Sequence, residues 1–439
     1  MISLRFTKTH EEKQDMQGNE TYCGKRLLVL GGAVQCSKVV ESAKEMGVYT
    51  VVADWSEQSP AKRIADQAIQ MSVMDADGLI DWIAQNPVDG VLNYCVDYAQ
   101  MSHQKICEHF GFPSFGTEEQ YRVLNEKRLF KQFCIAHGVD VIPDYSLEEI
   151  EQGKAEFPVL VKPSDSSGSR GVQVCNTLEE LHAAVSAARE ESKDGKAIIE
   201  KYMGDKQDFI AAYLVTDGKV NLIRTGDRFL GRKEDGLDRQ SACTICPSRF
   251  SDSFVEHVNP KVVRMLESLG MQNGPVFIQG FIDGDTVRFY DPGVRFPGGE
   301  FDRVFREATG IDMVKMVVGY ALGGSLSDLD GRMDNSYLLN GKCAITLCID
   351  SAPGEIAVYD LEKVKQIDGV VFVAEKAHVG SVIPKSGDVK QRIAEVVLLV
   401  QNALPVIVGK IKEVQSAIQV RDAKGNDMIV SAMDTNLLH

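Results

Sequence analysis

Apolar runs separated by helix-length segments predict alternating strands and helices over the first 120 residues. RLLVLGG at 26–32 predicts a strand that ends in a glycine pair, VVESAKEM at 39–46 predicts a helix, and VYTVVADW at 48–55 predicts a second strand. VDGVLNYC at 88–95 predicts a third strand, parallel to the others because helical segments connect them. We therefore expect a small doubly wound α/β domain over residues 25–118.

From about residue 119 the pattern is typical of α+β structure with antiparallel strands. Residues 118–138 predict one continuous helix. FIAAYLVTDGKVNLI at 209–223 predicts a hairpin that turns at Asp217-Gly218, and a second hairpin is expected around Gly284.

The last hundred residues predict short strands and one helix near 388–401. Gly323-Gly324-Ser325 is the expected boundary before a C-terminal α+β module over 325–439. The first 24 residues are polar and lack the apolar core of a signal peptide, so we expect a flexible tail there.

Charge and composition narrow the class of protein. Lys and Arg total 48 against 63 Asp and Glu, a net charge of −15, so binding to nucleic acid or to an anionic membrane is not expected. No apolar run reaches the roughly 18 residues of a membrane span, and we expect a cytoplasmic protein. The ten Cys follow no metal-binding pattern, and the close pair Cys243 and Cys246 lies in a strand-like run that would place them on opposite faces.

The segment PVLVKPSDSSGSRGV at 158–172 carries the strongest chemical signal. A strand delivers Lys162 into a loop of Ser and Gly residues that has no apolar side chain to pack. Such a loop is suited to wrap a triphosphate with its N–H and hydroxyl groups, although an ordinary exposed hairpin is the alternative. It is not a Walker A motif, because a second strand rather than a helix follows it.

Four further features are ambiguous when each is taken alone. Lys127 lies in a predicted helix, where most lysines are solvated, and Glu200 ends an apolar strand. Gln279 and Asp291 fall on facing strands of the second hairpin, where paired oxygen ligands would suit Mg²⁺. Arg295 follows in a Gly- and Pro-rich bend, which fits recognition of a phosphate or carboxylate.

Two other candidate sites are weaker. Gly31-Gly32 with Asp54 about twenty residues later is a partial dinucleotide fingerprint, but a tight strand-to-helix turn is the simpler interpretation. The segment 226–250, including Arg249, could clamp a substrate carboxylate, although a solvated charged loop is the favoured interpretation.

In this order and spacing the features resemble the ATP-grasp superfamily, in particular carbamoyl-phosphate-synthase-like and amino-acid-ligase-like members. The resemblance implies a Rossmann-like domain over 25–118 and an ATP-grasp domain over 119–324 whose lid lobe spans about 145–203, completed by the C-terminal module. It implies ATP and Mg²⁺ as cofactors, metal ligands at Asp291 and Gln279, and catalytic roles for Lys162 and Arg295. It also implies ATP contacts from Lys127, Lys162, Ser164, Ser166, Ser167, Gly168, Ser169, Gly171, Glu200, Lys201, Tyr202 and Asp208.

The chain departs from that family in its metal-bearing hairpin. Gln279 stands where the family usually has an acidic residue, and Asp291-Pro292-Gly293-Val294-Arg295 stands where it has Glu-x-Asn-x-Arg. The resemblance implies an ADP-forming ligase that joins an amino acid or small carboxylic acid to an amine, or to a thiol, through an acylphosphate, and a homodimer is an open possibility. A carboxyphosphate-type synthetase and a catalytically impaired ATP-binding regulator remain alternatives.

Overall fold

The computed structural model describes residues 21–164, 171–204, 206–231, 237, 240–326, 331–430 and 432–438. The predicted tail therefore lies largely outside the described residues. Tyr22, within that tail, packs against Gly319 and Gly324, so the described chain is already attached to the core before residue 25.

The N-terminal part forms a four-stranded parallel sheet in the order β3-β2-β1-β4. Its core strands are almost fully buried because helices cover both faces, which explains their continuous apolar runs. The strands are β1 Arg26–Leu30, β2 Tyr49–Asp54, β3 Gln67–Gln70 and β4 Gly90–Leu92. The accompanying helices are Val34–Glu45, Pro60–Ile64, Ala76–Gln85 and Gln100–Phe110.

A second, smaller sheet has the order β5-β8-β6-β7 and is antiparallel. Its own apolar cluster joins Val159 and Val161 to Leu181 and Val185 of a covering helix. The strands are β5 Asp144–Tyr145, β6 Val159–Pro163, β7 Gln173–Cys175 and β8 Ala197–Lys201. The helices of this part are Leu147–Glu151 and Leu178–Glu191.

The largest sheet runs β13-β12-β9-β10-β11-β14-β19-β17, with β21 pairing on β14. Its members up to the second hairpin are β9 Asp208–Thr216, β10 Lys219–Leu230, β11 Ser241–Cys246, β12 Gly274–Asp283 and β13 Thr286–Gly293. Its later members are β14 Lys342–Ser351, β17 Val370–Glu375, β19 Arg392–Gln401 and β21 Ile429–Val430. Two small ladders join β15 Gly354–Glu355 to β18 Val382–Ile383 and β16 Val358–Asp360 to β20 Gln419–Arg421.

The remaining helices pack on these sheets. They are Glu118–Asn125, Lys127–Ala136, Ser251–Ser253, Asn259–Ser268, Phe301–Thr309, Met313–Ala321, Glu362–Lys365 and Leu404–Ala417, with a π-helical turn at Phe254–Val258. Short 3₁₀ turns span Asp97–Ala99, Ser336–Gly341, Val389–Gln391 and Thr435–Leu438. In the described part of the chain, no helix is both long and apolar enough to traverse a bilayer.

Both predicted hairpins are present, but two helix predictions were wrong. The helix expected near 388–401 is mostly strand β19, which is buried on both faces, and a continuous apolar run does not distinguish a buried strand from a buried helix. The helix expected over 118–138 is interrupted at Glu126, whose extended backbone (φ −83°, ψ 109°) separates two shorter helices. The interruption makes Lys127 the first residue of the second helix.

The C-terminal module expected after Gly323-Gly324-Ser325 shares the large sheet. β14 pairs with β11 on one side and with β19 on the other, so strands on both sides of this boundary hydrogen bond to each other. Cys243 and Cys246 of β11 pack into two different apolar clusters, which confirms that they face opposite sides of the sheet.

Candidate active site

A cavity of about 2540 Å³ lies between the small sheet, one face of the large sheet and the N-terminal domain. The small sheet contributes Lys162 and Glu200, and the large sheet contributes Asp291 and Arg228. The N-terminal domain contributes Asp97. The predicted phosphate, metal and anion residues therefore meet in one place, although they are spread over more than 130 residues of sequence.

Glu200 forms a buried charge cluster with two lysines at the wall of this cavity. It is 2% exposed, and its Oε2 accepts a hydrogen bond from Lys162 Nζ at 2.6 Å while its Oε1 accepts one from Lys131 Nζ. Lys131 also pairs with Asp144 of β5. Burial would raise the pKa of Glu200, but the charges of Lys162 and Lys131 hold this pKa below its usual range. The Glu200 side chain therefore orients Lys162, a role that the adenine contact implied for Glu200 does not include.

Lys127 lies near Lys162 and Asp291 at the start of its helix. Burial, followed by the like charge of Lys162, lowers the pKa of Lys127, whereas the charge of Asp291 raises it. Two ammonium groups so placed repel each other, and a polyanion between them would relieve the repulsion. The pair is thus suited to bind phosphate oxygens.

The register of the second hairpin places Gln279 directly opposite Asp291, as predicted. Tyr290 is an extra residue in β13 at this point, because Asp291 pairs with Gln279 and Phe289 pairs with Gly280. Such a bulge lets consecutive side chains turn toward the same side, and both Tyr290 and Asp291 line the cavity.

The carboxylate of Asp291 and the amide oxygen of Gln279 fit Mg²⁺, which takes few protein ligands and completes its shell with water and phosphate oxygens. Burial raises the pKa of Asp291, and the charge of Lys127 partly opposes this by lowering it. A bound cation would favour the ionised form of Asp291. The described residues contain no cluster of three or more His, Cys, Asp or Glu side chains placed to hold a metal.

Asp208, implied to lie near the ribose, is buried beside Arg228 on the neighbouring strand. Arg228 Nη1 donates to Asp208 Oδ2 at 2.8 Å, and the Tyr290 hydroxyl lies 3.4 Å from the same oxygen. Burial raises the pKa of Asp208 to about 6 against the opposing charge of Arg228. The Asp208 carboxylate is therefore engaged by protein groups before any nucleotide contact.

Arg295 reaches toward the N-terminal domain. Its Nε pairs with Asp97, its Nη1 donates to the carbonyl oxygen of Phe296 at 2.8 Å, and its guanidinium lies 4.4 Å from the centre of the Phe277 ring. Asp97 is 55% exposed at its side chain, so an incoming carboxylate or phosphate can compete for this arginine.

The Ser/Gly loop is described only at its two ends. The hydroxyl of Ser164 bonds to Ser192 and Asp194, and Gly171 has φ +65°, a conformation that favours glycine. The predictions for Ser166, Ser167, Gly168 and Ser169 lie outside the described residues. Lys201 and Tyr202 line the cavity directly after Glu200.

Of the two weaker candidates, the dinucleotide fingerprint is not supported, and the segment 226–250 contributes Arg228 rather than Arg249 to the cavity wall. Asp54 accepts hydrogen bonds from the N–H groups of Gly32 at 2.8 Å and Ser56 at 2.7 Å, so it closes its own turn, as the simpler interpretation predicted. Arg249 pairs with Asp227 at 3.1 Å and does not line the cavity, because Asp227 points to the face of β10 opposite Arg228.

Sequence reasoning missed Lys131, Arg228, Tyr290 and Asp97. Two of them carried a usable signal. Lys131 follows Lys127 by four residues and so shares its helix face, and Arg224 and Arg228 are an even number of residues apart in a strand and so share a sheet face. The bulge that directs Tyr290 into the cavity has no such signal in the sequence.

Comparison with known proteins identifies the nucleotide-binding region. Residues 127–329 match the family model described as the ATP-binding domain of the carbamoyl-phosphate synthase L chain. These residues are thus an ATP-binding domain of the ATP-grasp superfamily, which confirms the resemblance seen in the sequence.

The 2-oxoglutarate carboxylase small subunit of Hydrogenobacter thermophilus is 26% identical over 325 residues, which cover 69% of this chain and 67% of that protein. The rice (Oryza sativa) mitochondrial methylcrotonoyl-CoA carboxylase subunit alpha is 26% identical over 295 residues, 61% of this chain and 38% of that subunit. This chain therefore spans only part of the curated relatives it matches.

Solved structures extend the fold similarity to about nine-tenths of the chain. The L-amino acid ligase from Bacillus licheniformis superimposes with a TM-score of 0.73 at 18% identity, covering 91% of this chain and 98% of the ligase. The phosphoribosylglycinamide synthetase from Anaerococcus prevotii gives 0.71 at 17% identity, covering 90% and 99%. At these identities the comparison establishes the fold alone.

Proposed function

We propose that the protein is an ATP- and Mg²⁺-dependent ligase that joins a small carboxylic acid or amino acid to an amine. The observation that carries the proposal is the convergence of Lys127, Lys162, the Gln279–Asp291 pair and Arg295 in one cavity of an ATP-grasp domain. Two cations for phosphates, an oxygen pair for a metal and an arginine for an oxyanion are what acyl activation by ATP requires.

The reaction we infer has two steps. A carboxylate oxygen of the substrate attacks the γ-phosphorus, the bond from that phosphorus to the β-bridging oxygen breaks, and ADP leaves. The amine nitrogen then attacks the acylphosphate carbon, the bond between that carbon and the phosphate oxygen breaks, and the amine loses a proton. No side-chain nucleophile is needed.

The chain's own groups would act by positioning and charge. Lys127 and Lys162 hold phosphate oxygens, with Lys162 aimed by Glu200. Arg295 leaves Asp97 to stabilise the negative oxygen that develops on the acyl group. Mg²⁺ held by Asp291 and Gln279 would offset charge on the phosphates.

Bicarbonate is a second candidate for the carboxylate. The biotin carboxylase domain of the H. thermophilus 2-oxoglutarate carboxylase, solved with MgADP and bicarbonate, superimposes with a TM-score of 0.72 at 20% identity. The product of the first step would then be carboxyphosphate. Because this second candidate uses the same ATP site, only the activating substrate distinguishes it.

We also propose a finer organisation by analogy with these relatives. The N-terminal parallel sheet would act as the Rossmann-like domain that closes the substrate side of the cavity, and the small sheet would act as its lid. A cytoplasmic homodimer fits the same analogy, since the carboxylase domain above was solved as a dimer.

The proposal is tested by calorimetric titration of ADP with and without Mg²⁺ on wild type and on Lys162→Ala. Losing a charged hydrogen bond to phosphate should weaken MgADP binding about tenfold or more. Lys412→Ala, an exposed position on helix Leu404–Ala417, makes the same chemical change outside the cavity and should bind as wild type does.

ADP release is then measured with pooled amino acids, with acetate and with bicarbonate. Release that requires an amino acid or acetate supports the ligase, and release that requires only bicarbonate supports the second candidate. MgADP binding without release under any condition would instead indicate an impaired, regulatory ATP-binding protein.

A further inference from the structure

Arg224 in β10 is a buried arginine with an unsatisfied donor. Its residue is 5% exposed and lines the cavity. Nε lies 3.3 Å from Cys246 Sγ, and the guanidinium carbon lies 4.5 Å from the centre of the Phe301 ring. Within the described residues, its Nη1 has no hydrogen-bond partner and no carboxylate lies within ion-pair distance of the guanidinium.

Three other arginines of the cavity wall are paired with carboxylates. Arg228 pairs with Asp208 at 2.8 Å, Arg392 pairs with Asp350 at 3.2 Å, and Arg295 pairs with Asp97. A buried charge without a partner costs several kcal/mol, so folding alone gives no reason to keep one. An orphan guanidinium in a substrate cavity is therefore expected to receive its counter-ion from a ligand.

The sheet register places Arg224 one row from the metal pair. One row of the sheet crosses β12, β9 and β10 at Gln279, Ile210 and Gly226. The next row crosses the same strands at Phe277, Ala212 and Arg224. Two inter-strand steps and one two-residue step separate the Cα atoms of Gln279 and Arg224, which amounts to roughly 12 Å. Both residues line the cavity, and a molecule the size of an amino acid can span the distance between them.

We propose that Arg224 binds a carboxylate group of the substrate and so selects substrates that carry one. The ring of Phe301 covers one side of the guanidinium, and the planar, forked N–H groups, which no carboxylate of the described residues engages, suit recognition of a carboxylate. The inference rests on the proposed function in one respect, namely that the bound carboxylate belongs to a substrate. Two carboxylates qualify, namely the group that is phosphorylated and a second group that does not react.

The test compares Arg224→Met and Arg224→Lys with Arg306→Met, a surface arginine paired with Asp312 at 3.1 Å. Each protein is titrated with acetate, with L-alanine and with succinate in the presence of MgADP, and each is melted without ligand. R224M should bind the carboxylate at least tenfold more weakly and MgADP within twofold of wild type, since a charged hydrogen bond contributes about 1.5–3 kcal/mol. R224K should be intermediate, and R306M should match wild type.

Ligand-free R224M should also melt no lower than wild type, because it replaces an unpaired buried charge by an apolar chain. A merely structural arginine would give the opposite result, a lower melting temperature. Weakening of acetate binding identifies the bound group as the single reacting carboxylate, whereas weakening confined to succinate identifies a second one.

Equal carboxylate affinity in R224M and wild type would overturn the proposal, and so would the failure of wild type to bind any of the three carboxylates. If R224M also lost MgADP binding, the R224K variant would be the informative one. Normal binding of both MgADP and the carboxylate by R224K would then overturn the proposal. Failure of the proposed function is a separate result, namely a wild-type protein that binds carboxylates through Arg224 yet releases no ADP.

Discussion

The buried cluster of Glu200 with two lysines predicts a large effect for a small chemical change. Glu200→Gln keeps the size of the side chain but removes its charge, leaving the ammonium groups of Lys162 and Lys131 beside a neutral amide. Lys131 retains Asp144, whose side chain is half exposed. Lys162, buried at 7% exposure, loses the carboxylate 2.6 Å away.

Removing one partner of a buried ion pair costs about 3–5 kcal/mol, because the other charge remains without compensation. The retained Lys131–Asp144 pair favours the lower end of that range, about 3 kcal/mol. Unfolding entropy is about 2.1 cal/mol/K per residue, or about 0.9 kcal/mol/K for the 439 residues of the chain, so the melting temperature should fall by roughly 3 °C.

The assay is thermal unfolding near pH 7, with Glu413→Gln as the matched control. Glu413 pairs with Lys410 at 3.0 Å but is half exposed, so its loss should cost less than about 1 kcal/mol. The pKa of Glu200 is lowered in the folded protein, so its contribution is present above the unfolded value near 4.5 and disappears as the pH falls through the folded value. The gap between E200Q and wild type should therefore narrow as the pH falls below about 4.5 and be lost once the pH has passed the folded value.

A melting temperature for E200Q within about 1 °C of wild type at pH 7 would refute this reasoning. A gap that stayed constant down to pH 3 would show that the loss arises from packing rather than from charge. Either result would remove the argument that Glu200 aims Lys162.

Two further predictions concern the floor of the cavity. The pKa of Asp208 is raised to about 6, so the folded state binds more protons than the unfolded state between about pH 4 and 6. The stability of wild type relative to Asp208→Asn should therefore fall as the pH rises through that window. Urea unfolding at pH 4.5 and 7.5 measures this difference in stability, and a difference that did not change with pH would contradict the prediction. Gln279→Glu adds a second carboxylate beside Asp291 and should strengthen Mg²⁺ binding in a titration with ADP present. If the native pair is tuned for turnover, the same variant should release ADP more slowly. Unchanged Mg²⁺ affinity would argue against a metal at this pair.

Much of this site could be predicted because its residues sit at fixed positions in regular elements. The turn at Gly284 sets the register of the second hairpin, and that register brings Gln279 opposite Asp291. Tyr290, which was missed, and the start of the helix at Lys127 depend on local irregularities. The bulge at Tyr290 and the interruption at Glu126 are decided by tertiary packing, and period counting does not reveal them.

Pairing between distant parts of the chain was equally out of reach. Asp97 meets Arg295 across 198 residues, and Lys131 meets Glu200 across 69. Strand β19 was mistaken for a helix because both of its faces are buried, which erases the alternation that normally marks a strand. The sequence therefore predicts the order of the chemical groups along the chain, but it does not predict which charged side chains pair with each other.

The altered metal hairpin shows why such coupling matters for function. Residue 293, where the related family usually has Asn, is a glycine whose added Cβ would lie 2.3 Å from Cε1 of Phe277. The same ring lies 4.4 Å from the guanidinium of Arg295. A ligating side chain at 293 would therefore displace the ring that supports the arginine.

The absence of a ligating side chain at residue 293 and the placement of Arg295 therefore depend on each other, because both involve the ring of Phe277. A carboxylate at 279 needs no change at Phe277, because Gln279 is opposite Asp291, whereas Phe277 is opposite Gly293 in the next row of the sheet. The asparagine could not be restored in the same way. This asymmetry favours a site built for one Mg²⁺ at Asp291 and Gln279, with positive charge from Lys127, Lys162 and Arg295 taking over what a second metal would supply.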